Sequence, residues 1–261
     1  MQDRGRFARA RGAIERTGFR VIIGNELLRS RLAKSRSTPV DGRTLHPEFG
    51  AMLALDDVTH RSDLTPLDPV MARARIVTDV ATVTFPGPAL DCRDLVIDSP
   101  ALPIPARLYT PNGLAARSPA VVYFHGGGWV TCSVATHDAF CRRLAAEARC
   151  RVVSIDYRLA PEHRFPAAVE DAIAATRFVL ANAHDLGVDP ERVAVAGDSA
   201  GGNLSAVVAL ATRNDARRPR LQALIYPALD MTCRTASHVT FAERYFLTRA
   251  MVDWFLGHYV G

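Results

Sequence analysis

From about residue 81 the chain alternates short apolar runs with longer stretches patterned at helical spacing. Asp94–Asp98 and Ala106–Tyr109 read as short strands, separated by a turn region containing Pro100, Pro103 and Pro105. Ala120–Phe124 (AVVYF) is an uninterrupted apolar run, the pattern of a strand buried on both faces. His137–Arg149 follows as a helix, Arg151–Asp156 as a strand, and Pro166–Asn182 as a helix with Pro166 near its first turn, where proline is tolerated. Arg192–Ala196 is a third buried strand, Ala200–Asn214 an Ala- and Val-rich helix, and Leu221–Tyr226 a fourth strand. Residues 234–259 again read as helical, with Tyr245, Met251, Trp254 and Phe255 as apolar anchors. Alternation of this kind predicts an α/β fold, a mostly parallel sheet flanked by helices, with function at the carboxyl ends of the strands.

Upstream the pattern differs. Ile14, Val21, Ile22, Leu27, Leu28 and Leu32 recur at roughly helical spacing through residues 1–36. Residues 37–70 are broken by Pro, Gly and Asp, and Asp68-Pro69 opens a predicted helix over Val70–Asp79. Of the chain's formal net charge of +5, residues 1–36 hold +7, so the remainder is near neutral. A solvated amphipathic helix accounts for that basic start. The chain uses one Lys and 31 Arg, a coding bias that removes most of the information from Arg content. Nucleic acid is therefore not an expected partner.

At 261 residues with 48% apolar and 23% charged side chains, a large core forms without metals or staples, and disordered or disulfide-scaffold classes are excluded. The five cysteines (92, 132, 141, 150 and 233) contain no C-x-x-C pair and no zinc spacing, and read as reduced thiols. No secretory signal pattern and no long uncharged apolar stretch is present, which predicts a cytoplasmic chain without stable membrane insertion.

Two sequences carry chemistry, each directly after a predicted buried strand. The first is His125-Gly126-Gly127-Gly128-Trp129. The second, Gly197-Asp198-Ser199-Ala200-Gly201-Gly202, matches G-x-S-x-G between a strand and a helix. There a serine on a sharp turn is lifted above the sheet, and the helix behind it directs its N-terminus at developing negative charge. Consecutive glycines let backbone N–H groups reach a cleft, as acyl transfer requires for a tetrahedral oxyanion. Phosphate binding is disfavoured, since the chain has no G-x-x-x-x-G-K-[ST].

These motifs, with Tyr157-Arg158-Leu159-Ala160-Pro161-Glu162-His163 and Phe165-Pro166-Ala167, resemble the hormone-sensitive-lipase-like (GDXG) family of α/β-hydrolase carboxylesterases over about residues 80–260. The resemblance implies ester hydrolysis without cofactor or metal, with a small acyl ester as substrate. It implies Ser199 as nucleophile and Gly126, Gly127 and Ala200 as oxyanion hole, supported by His125, Gly128 and Asp198. Asp198 is expected to hold the turn by hydrogen bonds. Glu162 and His163 are expected to be structural. The implied organisation is a helical cap segment over 1–75, a hydrolase core over 76–233 and a cap insertion over 234–261.

A serine nucleophile needs a base and a carboxylate to orient it, in the order Ser…Asp/Glu…His for this fold. After Ser199 the only histidines are His238 and His258, both in the expected cap insertion and neither assigned a catalytic role. The expectation is a chain lacking the last strands of the sheet and the triad acid and base, with impaired turnover. It also carries self-association, as an oligomer or through an uncovered edge strand. The alternatives are a non-catalytic small-ligand binder, like the family's plant hormone receptors, and an inactive gene fragment.

Overall fold

The computed structural model describes residues 19, 21–34, 40, 42–59 and 61–261. Much of the predicted N-terminal helix lies outside them. The chain divides into two compact units. One comprises the described residues up to Thr84 together with Thr232–Trp254. It contains α1 (Glu26–Ala33), α2 (Pro47–Thr59), α3 (Pro69–Val83) and α7 (Ala236–Thr240). Helix α3 starts as its sequence dictates. Asp68 accepts a hydrogen bond from the Met71 N–H, and Pro69 fills the first turn.

The second unit, Phe85–Met231 with Phe255–Gly261, holds the sheet. Its strands are β1 (Asp91–Ile97), β2 (Ile104–Thr110), β3 (Ser118–Phe124), β4 (Arg151–Ile155), β5 (Val188–Asp198) and β6 (Leu221–Ile225), in the order β1-β2-β4-β3-β5-β6. Helices α4 (Asp138–Ala148), α5 (Ala167–Ala181) and α6 (Ala200–Ala211) are the crossovers between β3, β4, β5 and β6, which run parallel. Strands β1 and β2 form an antiparallel hairpin, and β2 is also antiparallel to β4. The central strands are apolar because both faces are covered. Val122, Phe124, Val152, Val153 and Val195 are all fully buried, each contributing about 1.5–3 kcal/mol over the exposed state.

The predicted helix over 234–259 is interrupted. Only Ala236–Thr240 and α8 (Arg249–Tyr259) are helical. Arg244 (φ 70°) and Phe246 (φ 41°) lie in the left-handed region between them, which an α-helix cannot accommodate.

Candidate active site

The strand order creates a crevice. From β3 the chain crosses through α4 to β4 on one side, and from β5 it crosses through α6 to β6 on the other. The adjacent strands β3 and β5 therefore send their connections in opposite directions, leaving the carboxyl ends between them uncovered by either crossover. Both chemical motifs emerge at this point. Phe124 and Gly197 are register partners, so both motifs reach the end of the β3–β5 ladder at the same level; His125 leaves the sheet directly, and the second motif leaves it at Ser199, after Asp198 has paired with Ile225 of β6.

Ser199 sits at φ 53°, ψ −117°, in the turn between β5 and α6. Non-glycine residues hold such dihedrals only where neighbours impose them. Here the Ser199 N–H donates to the Ile225 carbonyl (2.9 Å), and its carbonyl accepts from the N–H groups of Asn203 (3.0 Å) and Ala228 (3.1 Å). The turn is pressed against the end of β3. A Cβ at Gly201 would lie 1.9 Å from the Phe124 carbonyl oxygen, and one at Gly197 would lie 2.4 Å from the same atom. Side chains at these two positions are excluded by backbone, which cannot yield as a flexible side chain would.

The loop after β3 is pinned through its carbonyls. The His125 carbonyl accepts from the Tyr157 hydroxyl (2.7 Å). The Gly126 carbonyl accepts from His125 Nδ1 (2.7 Å). The Gly127 carbonyl accepts from the N–H groups of Val130 (3.1 Å) and Thr131 (2.9 Å) and from Thr131 Oγ1 (3.0 Å). In a trans peptide the N–H points opposite to the C=O. Anchoring these carbonyls thus fixes where the amides of Gly126, Gly127 and Gly128 point. Among the described residues, the N–H groups of Gly127, Gly128 and Ala200 have no acceptor within the chain.

The Gly126 amide differs. It donates to Asp198 Oδ1 at 3.0 Å. From sequence Gly126 is expected among the oxyanion donors; the structure commits its N–H to the carboxylate next to Ser199. The same oxygen accepts from the Tyr123 hydroxyl (2.6 Å) and faces His137 Nε2 at 3.3 Å. Burial alone would push the Asp198 carboxyl up, but the His137, Tyr123 and Gly126 donors outweigh it and hold the group below the usual carboxylate range. Burial and the Asp198 charge push the Tyr123 hydroxyl upward, so it remains a donor.

His125 is fully buried and stacked on Tyr157, with centroids 4.3 Å apart and planes 16° from parallel. Burial, reinforced by the neighbouring His137, pushes its imidazole down to about 3. A carbonyl only accepts, so Nδ1 carries the proton and Nε2 a lone pair. Nε2 lies 3.7 Å from Asp156 Oδ1 without a hydrogen bond, and the neutral ring makes no ion pair there.

Aromatic residues brace the loop from the chain's last described residues. Trp129 stacks on Tyr259, and the Phe255 ring lies against Gly128, where a Cβ would meet it at 2.3 Å. Burial pushes the Cys132 thiol up to about 11, so it stays protonated at neutral pH and does not compete as a nucleophile. Among the described residues no group of three or more His, Cys, Asp or Glu is placed to hold a metal ion, and no helix is long and apolar enough to cross a membrane.

The structure thus brings His125, Gly126, Gly127, Gly128, Asp198, Ser199 and Ala200 to the ends of two adjacent strands. Sequence reasoning missed Tyr123, His137 and Tyr259, and read Phe255 only as an apolar anchor, without its place against Gly128. Tyr123 left a signal: a phenol in a strand buried on both faces must find a partner for its hydroxyl. His137 left none, because nothing in spacing joins it to Asp198.

Comparison with known proteins agrees with this fold. A family model described as alpha/beta hydrolase fold matches residues 121–261. The chain belongs to that family. Several of its relatives are named as ester hydrolases, and the chain falls within a family of carboxylic ester hydrolases. Carboxylic ester hydrolase LipN of Mycobacterium tuberculosis (strain ATCC 25618 / H37Rv) is 43% identical over 263 residues, covering 97% of the hydrolase and 69% of LipN. Carboxylesterase NlhH of Mycobacterium tuberculosis (strain CDC 1551 / Oshkosh) is 47% identical over 158 residues, 60% of the hydrolase but only half of NlhH. Among solved structures, LAE6, an alpha/beta hydrolase enzyme from the metagenome of Lake Arreo, Spain, superposes with a TM-score of 0.80 at 43% identity. That match covers 83% of the hydrolase and 70% of LAE6.

Proposed function

We propose that the chain carries the acyl-transfer site of a serine carboxylesterase acting on short- to medium-chain acyl esters. Ser199 Oγ attacks the ester carbonyl, the alcohol leaves, and water releases the acid from the acyl-enzyme. The Gly127 and Ala200 amides, with Gly128 in the place expected of Gly126, receive the oxyanion, each donor worth roughly 2.7–4 kcal/mol. Gly126 and Asp198 hold the loop against the turn. The observation that carries this reading is Ser199 at φ 53° together with a glycine loop whose His125, Gly126 and Gly127 carbonyls are anchored. The test is labelling by a fluorophosphonate together with hydrolysis of a series of p-nitrophenyl esters from acetate to octanoate. Ser199→Ala is expected to abolish labelling; labelling that persists in Ser199→Ala refutes the assignment.

A second reading, a ligand-binding homologue without turnover, is favoured by one observation. The imidazoles of His125 and His137 are both committed, His125 to the Gly126 carbonyl and His137 to Asp198. Neither makes a hydrogen bond to the Ser199 hydroxyl. Saturable binding of a small ester without hydrolysis would support this reading over the first.

A further inference from the structure

His137 has no part in the proposed reaction, yet it is tied on both sides. Its Nε2 faces Asp198 Oδ1 at 3.3 Å, and its Nδ1 lies 3.0 Å from Thr136 Oγ1. Thr136 is itself fixed: its hydroxyl donates to the Ser133 carbonyl (2.9 Å) and accepts from the Ser133 N–H (2.9 Å). The imidazole sits against Tyr123, centroids 6.2 Å apart, and against His125 at 5.6 Å. Its side chain is 16% exposed and that of Asp198 15%, so the pair is largely shielded from solvent.

One carboxylate oxygen thereby collects contacts from three elements: Tyr123 on β3, Gly126 in the glycine loop and His137 at the head of α4. Tyr123 and Gly126 lie close together at the same strand end, so by themselves they leave the carboxylate able to swing about its own axis. His137 comes from a different element and supplies the third point. Room is also short. A Cβ at Gly126 would lie 2.2 Å from Asp198 Oδ2, so the loop backbone is in direct contact with the carboxylate.

We infer that His137 is a positioning residue: anchored by the Ser133–Thr136 turn, it sets the Asp198 carboxylate so that Oδ1 clamps the Gly126 amide and fixes the glycine loop relative to Ser199. The consequence for chemistry rests on the esterase reading; the clamp itself does not. In that chemistry His137 never touches substrate. It acts through Asp198 and the Gly126 peptide on the direction of the next amides along the loop, which are the proposed oxyanion donors. Misaiming such donors lowers the rate of acylation while leaving ground-state binding almost intact.

The experiment compares His137→Ala, His137→Phe and His137→Gln with the wild-type chain by amide hydrogen exchange, following Gly126 with Val152–Ile155 of β4 as internal reference. Phe fills the space without a donor, and the Gln side-chain amide reaches the position of Nε2. Gly126 exchange is expected to rise about ten-fold in the Ala and Phe variants, with β4 unchanged, and to stay within about three-fold of wild type in the Gln variant. Where Ala also accelerates β4, marking a general loss of fold, the Phe and Gln pair decides. Wild-type protection of Gly126 in the Phe variant, or a Gln variant as fast as Phe, overturns the inference. Fluorophosphonate labelling is read in parallel, with the maximal rate expected to fall about ten-fold in Phe at unchanged probe affinity. Labelling that survives Ser199→Ala refutes the esterase reading and leaves the exchange result standing.

Discussion

The rings of Trp129 and Tyr259 lie 4.4 Å apart and 7° from parallel. Phe165 completes the contact, edge-on to Tyr259 at 5.8 Å and donating its N–H to the Tyr259 carbonyl at 2.9 Å. Trp129 ends the His-Gly-Gly-Gly-Trp motif, so the stack fastens the glycine loop to a residue far along the chain. Tyr259→Ala should lower stability by about 2–4 kcal/mol in urea unfolding, combining lost burial with a lost aromatic pair, whereas Tyr259→Phe keeps the stack and should cost under about 1 kcal/mol. An Ala variant as stable as wild type contradicts a bracing role.

Gly128 and Phe255 form a second checkable pair. Gly128 has φ +59°, and a Cβ there would sit 2.3 Å from the Phe255 ring. Gly128→Ala therefore combines left-handed strain of about 1–2 kcal/mol with a steric clash. Phe255→Ala removes the ring and leaves a cavity of its own. The double variant should be more stable than the sum of the two single effects predicts, by about 1–2 kcal/mol, because the clash exists only when both side chains are present. Strict additivity across the cycle would show that the ring retreats without cost.

Tyr123→Phe deletes one hydroxyl and little volume. Asp198 Oδ1 would keep Gly126 and His137 but lose its 2.6 Å partner. The expected cost is about 1–3 kcal/mol, the range for a hydrogen bond to a charged group. The Asp198 carboxyl should also move upward, since one of the donors that offsets its burial is gone. Following that carboxyl by carbon NMR in both chains separates the two possibilities, and an unmoved titration would show that Tyr123 contributes nothing to the charge balance.

His125 makes stability depend on acidity with a definite sign. Folded, its ring stays neutral down to about 3; unfolded, it takes a proton near 6.5. Between those values the unfolded chain binds one more proton, so this contribution is complete above about pH 6.5 and declines as pH falls, by at most ten-fold in the folding constant per pH unit. His125→Asn keeps a donor near the Gly126 carbonyl but removes the titration. Urea unfolding between about pH 7 and pH 4 should therefore be less pH-dependent in the Asn variant, and equal slopes would assign the acid sensitivity to other groups.

Sequence pattern reached the sheet because the central strands are buried on both faces, and a short apolar run closed off by glycine fits little besides such a strand. Ala120–Phe124 is contained in β3 and Arg192–Ala196 in β5. The extra residues of β5, from Val188, include Asp189, Pro190 and Glu191, whose polarity hides a strand end that still pairs at Ser118. The motif residues were legible for a related reason: close backbone approach at Gly197 and Gly201 admits only glycine, and that constraint is written locally. What was not legible is long-range. The commitment of the Gly126 amide to Asp198 joins positions 72 apart and rests on which way one peptide faces. The break at Arg244 and Phe246 was likewise invisible, since neither residue type advertises a positive φ.

Phe124 and Gly197 share one rung of the β3–β5 ladder, and from it His125 leaves the sheet at once while the second motif leaves after Asp198, the last residue of β5. A single inserted or deleted residue inside either strand would displace one motif from the other by about 3.3 Å and turn its side chains to the opposite face. Length changes within the segments that join the strands leave the rung untouched. The two kinds of lesion should therefore sort sharply in any library of one-residue insertions: connectors that accept them, and two strands whose count of residues is as much a part of the chemistry as the serine.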